Sequence, residues 1–236
     1  MLDVGCSPSS QSWLIFNSGP GSAAFNMAMD EALLAAMPRL QRPVLRFYGW
    51  AEPAASFGYF QKYSEVERAT PLRPLVRRPT GGGIVPHAAD WTYSLAFPAG
   101  HEWHALKAVE SYRRAHEWIQ AAFGKLDIPT ELAHRSRRPE PGSCFAGHEP
   151  FDVLWRGKKI AGAAQRRTRD GLLIQGSVQP PPLTLWRVDW QNALCAVAPL
   201  PDGAGWEALE RDAGLLDAAA NLVSKKYTQD GYNRKR

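Results

Sequence analysis

An α+β fold, with a mixed or antiparallel sheet and helices packed mainly outside it, is what this sequence predicts. Three observations lead there. Residues 107–123 carry apolar side chains at helical spacing, residues 151–166 carry a hairpin signal followed by a further extended run, and the helical and extended segments alternate too irregularly for a βαβ repeat. In chain order, Ala28, Met29, Leu33, Leu34 and Met37 place a helix over residues 25–37, which Pro38 is expected to stop. Residues 43–50 read as a strand, 54–59 as a short extended piece and 64–68 as a helical turn. Residues 87–97 alternate and are rich in aromatic and β-branched side chains, so they read as one strand. Val109, Tyr112, Ala115, His116, Ile119 and Phe123 share one side of the helix over 107–123. Arg156-Gly157-Lys158 is the turn between two extended runs, residues 172–178 are expected to pair beside them, and Pro180-Pro181-Pro182 ends that sheet. Residues 206–226 read as two helical stretches around Gly214.

The 236 residues, 44% of them hydrophobic, are enough to bury a sizeable core as one unit. The expectation is a single domain over residues 1–236, with its core from about 13 to 227 and short loose termini. The longest apolar stretches are broken by Pro, Gly or charge, so no membrane span is expected. Residues 1–6 lack a basic segment followed by an apolar one, so secretion is not indicated. Cys6, Cys144 and Cys195 are odd in number, widely spaced and without a CxxC pair, which points to neither a disulfide framework nor a zinc site and makes a reducing cytoplasm the default. The net charge of +5 rests on clusters at 135–138, 166–169 and 234–236. Most charge runs are solvated faces, and no nucleic-acid-binding motif accompanies these, so no nucleic-acid partner is expected.

The run Arg77-Arg78-Pro79-Thr80-Gly81-Gly82-Gly83-Ile84-Val85-Pro86-His87 joins two guanidinium groups to three glycines and a histidine at the edge of the strand over 87–97. Glycines let bare N–H groups approach a ligand, so an anion or a polarised carbonyl is the natural guest. Taken alone, the run reads more readily as a hairpin turn with solvated arginines. Together with Asn26-Met27-Ala28-Met29-Asp30-Glu31 upstream and Gly157-Lys158-Lys159-Ile160-Ala161-Gly162-Ala163-Ala164-Gln165 downstream, it resembles the lipoate-protein ligase and octanoyltransferase family, relatives of biotin protein ligases. The resemblance runs from about Trp13 to Lys225-Lys226-Tyr227.

That resemblance implies a biotin/lipoate protein ligase catalytic-domain fold. It also implies transfer of an octanoyl or lipoyl group to the acceptor lysine of a lipoyl carrier domain or a glycine cleavage H-type protein, with acyl carrier protein as a candidate donor. No permanently bound cofactor is expected; ATP and magnesium enter only if the chain is an ATP-dependent ligase. A carrier-binding homologue without activity is the third reading. Lipoyl carrier domains are usually acidic, which a basic surface would steer. Asp90-Trp91-Thr92-Tyr93-Ser94 follows the transferase pattern, whereas the third glycine of Gly81-Gly82-Gly83 is typical of ligases, and Gln175-Gly176 stands where many relatives have His-Gly.

Cys144 follows Pro141-Gly142-Ser143, which places it in a loop. A free cysteine is most often a small buried hydrophobe, but the segment from Cys144-Phe145 to Asp152-Val153-Leu154 resembles the cysteine-dependent octanoyltransferases. A thiolate there would accept an acyl group from a carrier thioester without a nucleotide. Cys195 sits among apolar residues and reads as packing. Lys159 occupies the family's lysine position by motif alignment, where an ammonium would stabilise a developing oxyanion. The small residues after it, including Gly162 and Ala163, would let a substrate lie close to the strand. The expected substrate-binding set is completed by Arg77, Arg78, Thr80, Gly81, Gly82, Gly83 and His87, the last being equally readable as a hydrogen-bonded strand-edge histidine. Asn26, Asp30 and Glu31 are expected to support packing, and Trp50, Phe57, Tyr59 and Phe60 to belong mainly to the core.

Overall fold

Eight strands form one mixed sheet with helices on both of its faces, and three short strands form a second sheet that carries the glycine loop. This is a computed structural model, and it describes residues 12–137, 147–210 and 213–236. In chain order the elements are β1 (Trp13–Gly21), α1 (Ala23–Leu40), β2 (Val44–Trp50), β3 (Ala54–Phe57), α2 (Tyr63–Ala69), β4 (Leu75–Arg77), β5 (Val85–His87) and β6 (Trp91–Pro98). There follow α3 (Glu102–Ala105), α4 (Ala108–Gly124), β7 (Glu131–Leu132), β8 (Val153–Trp155), β9 (Lys158–Arg167), β10 (Gly171–Val178), α5 (Arg187–Ala196), β11 (Trp206–Ala208), α6 (Ala213–Leu222), a π-helical turn (Val223–Tyr227) and α7 (Asp230–Asn233). The large sheet has the order β11-β1-β2-β6-β10-β9-β8-β7. Its β1 is parallel to both neighbours and every other pair is antiparallel. The predicted α+β class and mixed sheet are thus observed.

The strand period of two sorts the side chains between the faces. Leu45 and Phe47 of β2, Trp91, Tyr93, Leu95 and Phe97 of β6, and Leu172 and Ile174 of β10 pack with Trp118, Ile119 and Phe123 of α4 and Trp190 of α5. The other face takes Leu14, Phe16, Val44 and Ala96 against Met27, Met29, Leu33 and Met37 of α1, behind which lies Leu215 of α6. A helix held between a sheet and a second helix is buried on most sides. That accounts for the run of Ala and Met in α1, whose N-terminus is capped by Ser22 Oγ accepting from the Phe25 N–H at 3.2 Å.

Several sequence expectations need correction. Pro38 does not end α1: it lies in the last turn, and the helix closes at Gln41, a left-handed residue (φ 54°) whose N–H donates to the Met37 carbonyl. Residues 87–97 are not one strand. Residues 88–90 turn the chain from β5 in the small sheet to β6 in the large one, because the Asp90 carboxylate folds back onto His87 and also takes the Thr92 and Ser177 hydroxyls. Gly81, Gly82 and Gly83 consequently lie in the loop between β4 and β5. Residues 206–208 form an edge strand beside β1, and Gly214 lies inside α6. The hairpin of β8 and β9, with β10 beside it, has the predicted form.

Candidate functional site

The α1-facing side of β2, β6 and β10 carries polar residues at its centre. Asp30 and Arg46 are fully buried and paired at 2.6 Å. Asp30 Oδ1 also accepts from Ser94 Oγ at 2.6 Å, while Oδ2 accepts from Tyr48 at 3.1 Å and from Gln175 Nε2 at 2.7 Å. Arg46 further donates to the Asn26 carbonyl, the Asn26 side-chain oxygen and Ser18 Oγ. A buried ion pair persists only when its remaining donors and acceptors are satisfied, and these are. Asn26 in turn donates to the Gly49 carbonyl at 2.8 Å. The network is the rigid floor of a cavity of about 160 Å³, to which Met27, Tyr48, Gln175 and Gly176 all contribute.

The glycine loop covers this floor. Gly82 has φ +87°, a conformation that L side chains rarely adopt. A Cβ on Gly58 would stand 1.9 Å from the Gly82 carbonyl oxygen, so the loop packs against the chain only because residue 58 has no side chain. Arg78 is fully buried. It donates to the Gly81 and Gly83 carbonyls at 2.8 and 2.9 Å and to Ser56 Oγ at 2.9 Å, which holds the loop closed from within. Burial lowers its pKa to about 10, so the guanidinium remains a cation at neutral pH in the cavity wall. Thr80 Oγ1 donates to Gln175 Oε1 at 2.7 Å, joining the loop to the floor.

Lys159 marks another side of the cavity. Its ammonium pairs with buried Asp152 at 2.7 Å, and Asp152 also accepts from Tyr112 Oη at 2.5 Å and from the Glu149 N–H at 2.7 Å. Tyr112, Glu149, Lys159, Gly162, Ala163 and Ala164 all line the cavity. Gly162 has a specific reason to be glycine: a Cβ there would stand 2.6 Å from Lys159 Cε, 2.8 Å from Nζ and 2.9 Å from Asp152 Oδ1. The lysine therefore lies across the bare backbone of β9. Lys158, one residue earlier, is exposed at the strand's start.

His87 is buried between Ser56 Oγ, 2.7 Å from Nε2, and Asp90 Oδ2, 2.8 Å from Nδ1, with its ring stacked on Trp50 at 3.7 Å. Burial pushes its pKa below the ordinary histidine value, and Asp90 opposes that shift. Of the residues singled out in the sequence, Arg78, Gly82, Gly83, His87, Lys159, Gly162 and Ala163 thus meet at one cavity. Arg77, Thr80 and Gly81 support it from behind. Arg77 donates to the Tyr59 and Gln61 carbonyls at 2.7 Å and to the Asn233 carbonyl at 2.9 Å, tying the loop's base to the C-terminal helix. Cys144 and Cys6 lie outside the described residues. Cys195 is half-buried on α5 against the core, where burial raises its thiol pKa to about 11. Ser56, Tyr112, Asp152 and Gln175 were not singled out as site residues from the sequence. Asp90 and Asp152 fall within quoted motifs, and Gly58, an isolated glycine at a strand end, signals a close backbone approach. The partners of Ser56 and Tyr112 are distant in sequence and left no local signal.

Comparison with known proteins shows the family to which the chain belongs. Residues 22–179 match the family model described as lipoyl protein ligase A/B catalytic domain. The chain is 38% identical over 180 residues to octanoyltransferase LipM of Kyrpidia tusciae, a match spanning 71% of this chain and 66% of that relative's length. It is 34% identical over 234 residues to LipM of Geobacillus kaustophilus, covering 91% of this chain and 79% of the relative. Among solved structures, a lipoate-protein ligase A bound with ATP superposes with a TM-score of 0.76 at 19% identity, covering 95% of this chain and 98% of that one. Protein Ta0514 of T. acidophilum with bound lipoic acid superposes with a TM-score of 0.77 at 19% identity, covering 96% and 100%. At that identity the structural likeness concerns the fold.

Proposed function

Because the chain belongs to the lipoyl protein ligase A/B catalytic-domain family, we propose that it is an acyltransferase moving an octanoyl or lipoyl group onto the acceptor lysine of a lipoyl carrier domain, through a thioester on Cys144. The observation that carries this reading is the ammonium of Lys159, held by a buried carboxylate at the cavity. Arg137 and His148, between which Cys144 falls in the sequence, exchange backbone hydrogen bonds at 2.8 and 3.0 Å, and Glu149, one residue further on, lines the cavity. A thiolate within reach of Lys159 would be favoured by its charge, and the same charge would stabilise the oxyanion formed as the thiolate attacks the donor thioester. Exchange between two thioesters is close to isoenergetic and needs no nucleotide. The similarity to proteins named octanoyltransferase favours a carrier thioester as donor. A lipoyl-domain acceptor is supported by a fold relative, a bipartite lipoate protein ligase of Thermoplasma acidophilum studied with its E2 lipoyl domain.

The test incubates purified protein and an apo lipoyl domain with octanoyl carrier thioester or, separately, with free octanoate, ATP and magnesium. Transfer is expected in the first mixture, and transfer in the second alone would refute the transferase reading. Without acceptor, the donor should leave a hydroxylamine-sensitive adduct that Cys144→Ala abolishes and Cys195→Ala retains.

A further inference from the structure

Ser56, His87 and Asp90 form a continuous hydrogen-bonded array that no step above requires, and His87 belongs to two cavities at once. It lines the cavity described above and also a second one of about 690 Å³, bounded by Gly49, Trp50, Glu52, Asp90 and Arg187. Among the described residues no other lines both. The direction of each hydrogen bond can be deduced. The Asp90 carboxylate can only accept, so His87 Nδ1 carries the hydrogen and donates it to Oδ2 at 2.8 Å, which leaves Nε2 of the neutral ring as the acceptor. Ser56 Oγ therefore donates its proton to Nε2 at 2.7 Å while accepting from Arg78, which can only donate, at 2.9 Å. Asp90 Oδ2 is also fixed as an acceptor by the Thr92 and Ser177 hydroxyls at 3.0 and 2.7 Å. The stack on Trp50 holds the ring, and Trp50 itself donates to Thr92 Oγ1 at 2.8 Å.

We propose that Ser56 and His87, positioned by Asp90, relay a proton from the first cavity toward the second during acyl transfer to an amine. This inference rests on the transferase reading. An acceptor lysine arrives as an ammonium and attacks only as the free amine. The ammonium gives one proton to Ser56 Oγ as the Ser56 proton passes to His87 Nε2, and the imidazolium is stabilised by the Asp90 carboxylate. The amine nitrogen bonds to the thioester carbonyl carbon, the carbon–sulfur bond breaks, and the departing thiolate takes the second nitrogen proton. The imidazolium passes its Nδ1 proton to Asp90, which lines the second cavity and hands the proton to water there. Ammonium and thioester thus give amide, thiol and one proton, with no oxidant or nucleotide. Burial keeps His87 neutral between turnovers, as a base must be. The charged and titratable groups facing the array are Arg78 beside Ser56, Tyr48 on β2 and Arg187 at the start of α5.

The test compares wild type with Ser56→Ala, His87→Gln and Asp90→Asn, using octanoyl carrier thioester and apo lipoyl domain. Transfer at pH 7 should fall roughly a hundred- to ten-thousand-fold in each variant, in the range of a lost general base, and recover toward wild type as pH rises and the acceptor lysine loses its proton unaided. A misfolded or donor-binding-deficient variant would stay low at every pH. Losses that do not shrink as pH rises would overturn the relay. Independently of turnover, nitrogen NMR of the wild type, assigned with the His87→Gln spectrum, should show Nδ1 protonated and Nε2 bare. The opposite tautomer would overturn the relay even if transfer occurs. Absence of wild-type transfer from the carrier thioester would instead overturn the transferase reading.

Discussion

Adding one methyl group at Gly162 should separate the stability of this protein from its activity. The new Cβ would stand 2.6 and 2.8 Å from the last two side-chain atoms of Lys159, closer than real Cβ atoms come to any neighbour. Those atoms end a flexible chain, so that clash is relieved by moving the ammonium, not the sheet, while Asp152 Oδ1, 2.9 Å from the new Cβ, must shift slightly as well. Asp152 would lose its 2.7 Å partner while keeping Tyr112 Oη and the Glu149 N–H. A carboxylate that keeps two of three hydrogen bonds should cost roughly 1–3 kcal/mol, and less if the displaced ammonium stays nearby. The transfer rate should fall much further. Losing a fixed charge from an oxyanion typically costs a hundred- to thousand-fold, about 3 to 4 kcal/mol, and appears in kcat more than in KM. The assay is steady-state octanoyl transfer with denaturant melts on Gly162→Ala, Lys159→Ala and the double variant. Because both substitutions remove the same ammonium, the double variant should be no slower than Lys159→Ala alone. Additive losses, or a fully active Gly162→Ala, would refute the argument that Gly162 is glycine for the sake of Lys159. Lys158→Ala removes the same charge one residue away and should cost little.

Asp30→Ala should destabilise the fold by about 3–5 kcal/mol in denaturant melts, because it strands the Arg46 guanidinium in the interior. His116 provides a pH test: it is fully buried, its Nε2 has no hydrogen-bond partner among the described residues, and burial lowers its pKa to about 4 from 6.5. A depressed value means that the unfolded chain binds the proton first, so this contribution is fully present above pH 6.5 and is lost as pH falls toward 4. The difference is about 3 kcal/mol, and His116→Leu should flatten that part of the stability–pH curve.

The elements read correctly from the sequence are those whose pattern is local. The helix of α4 and the hairpin of β8 and β9 announce themselves by apolar period and turn residues, whatever they pack against. Lys159, Arg78 and the glycines were visible for a similar reason, since a glycine loop and a lysine beside small residues keep their chemistry within a few positions. What the sequence could not state was pairing at long range. The break after His87 depends on a carboxylate that also serves β10, and β11 is a strand because β1 offers it an edge. Ser56, Tyr112 and Gln175 become site residues only when β3, α4 and β10 are brought around one cavity, and Asp152, just before β8, does so by holding Tyr112 and Lys159. Propensity and period act over a few residues; the Ser56–His87 contact and the hold of Tyr112 on Asp152 join residues 31 and 40 positions apart, so the tertiary structure alone decides them.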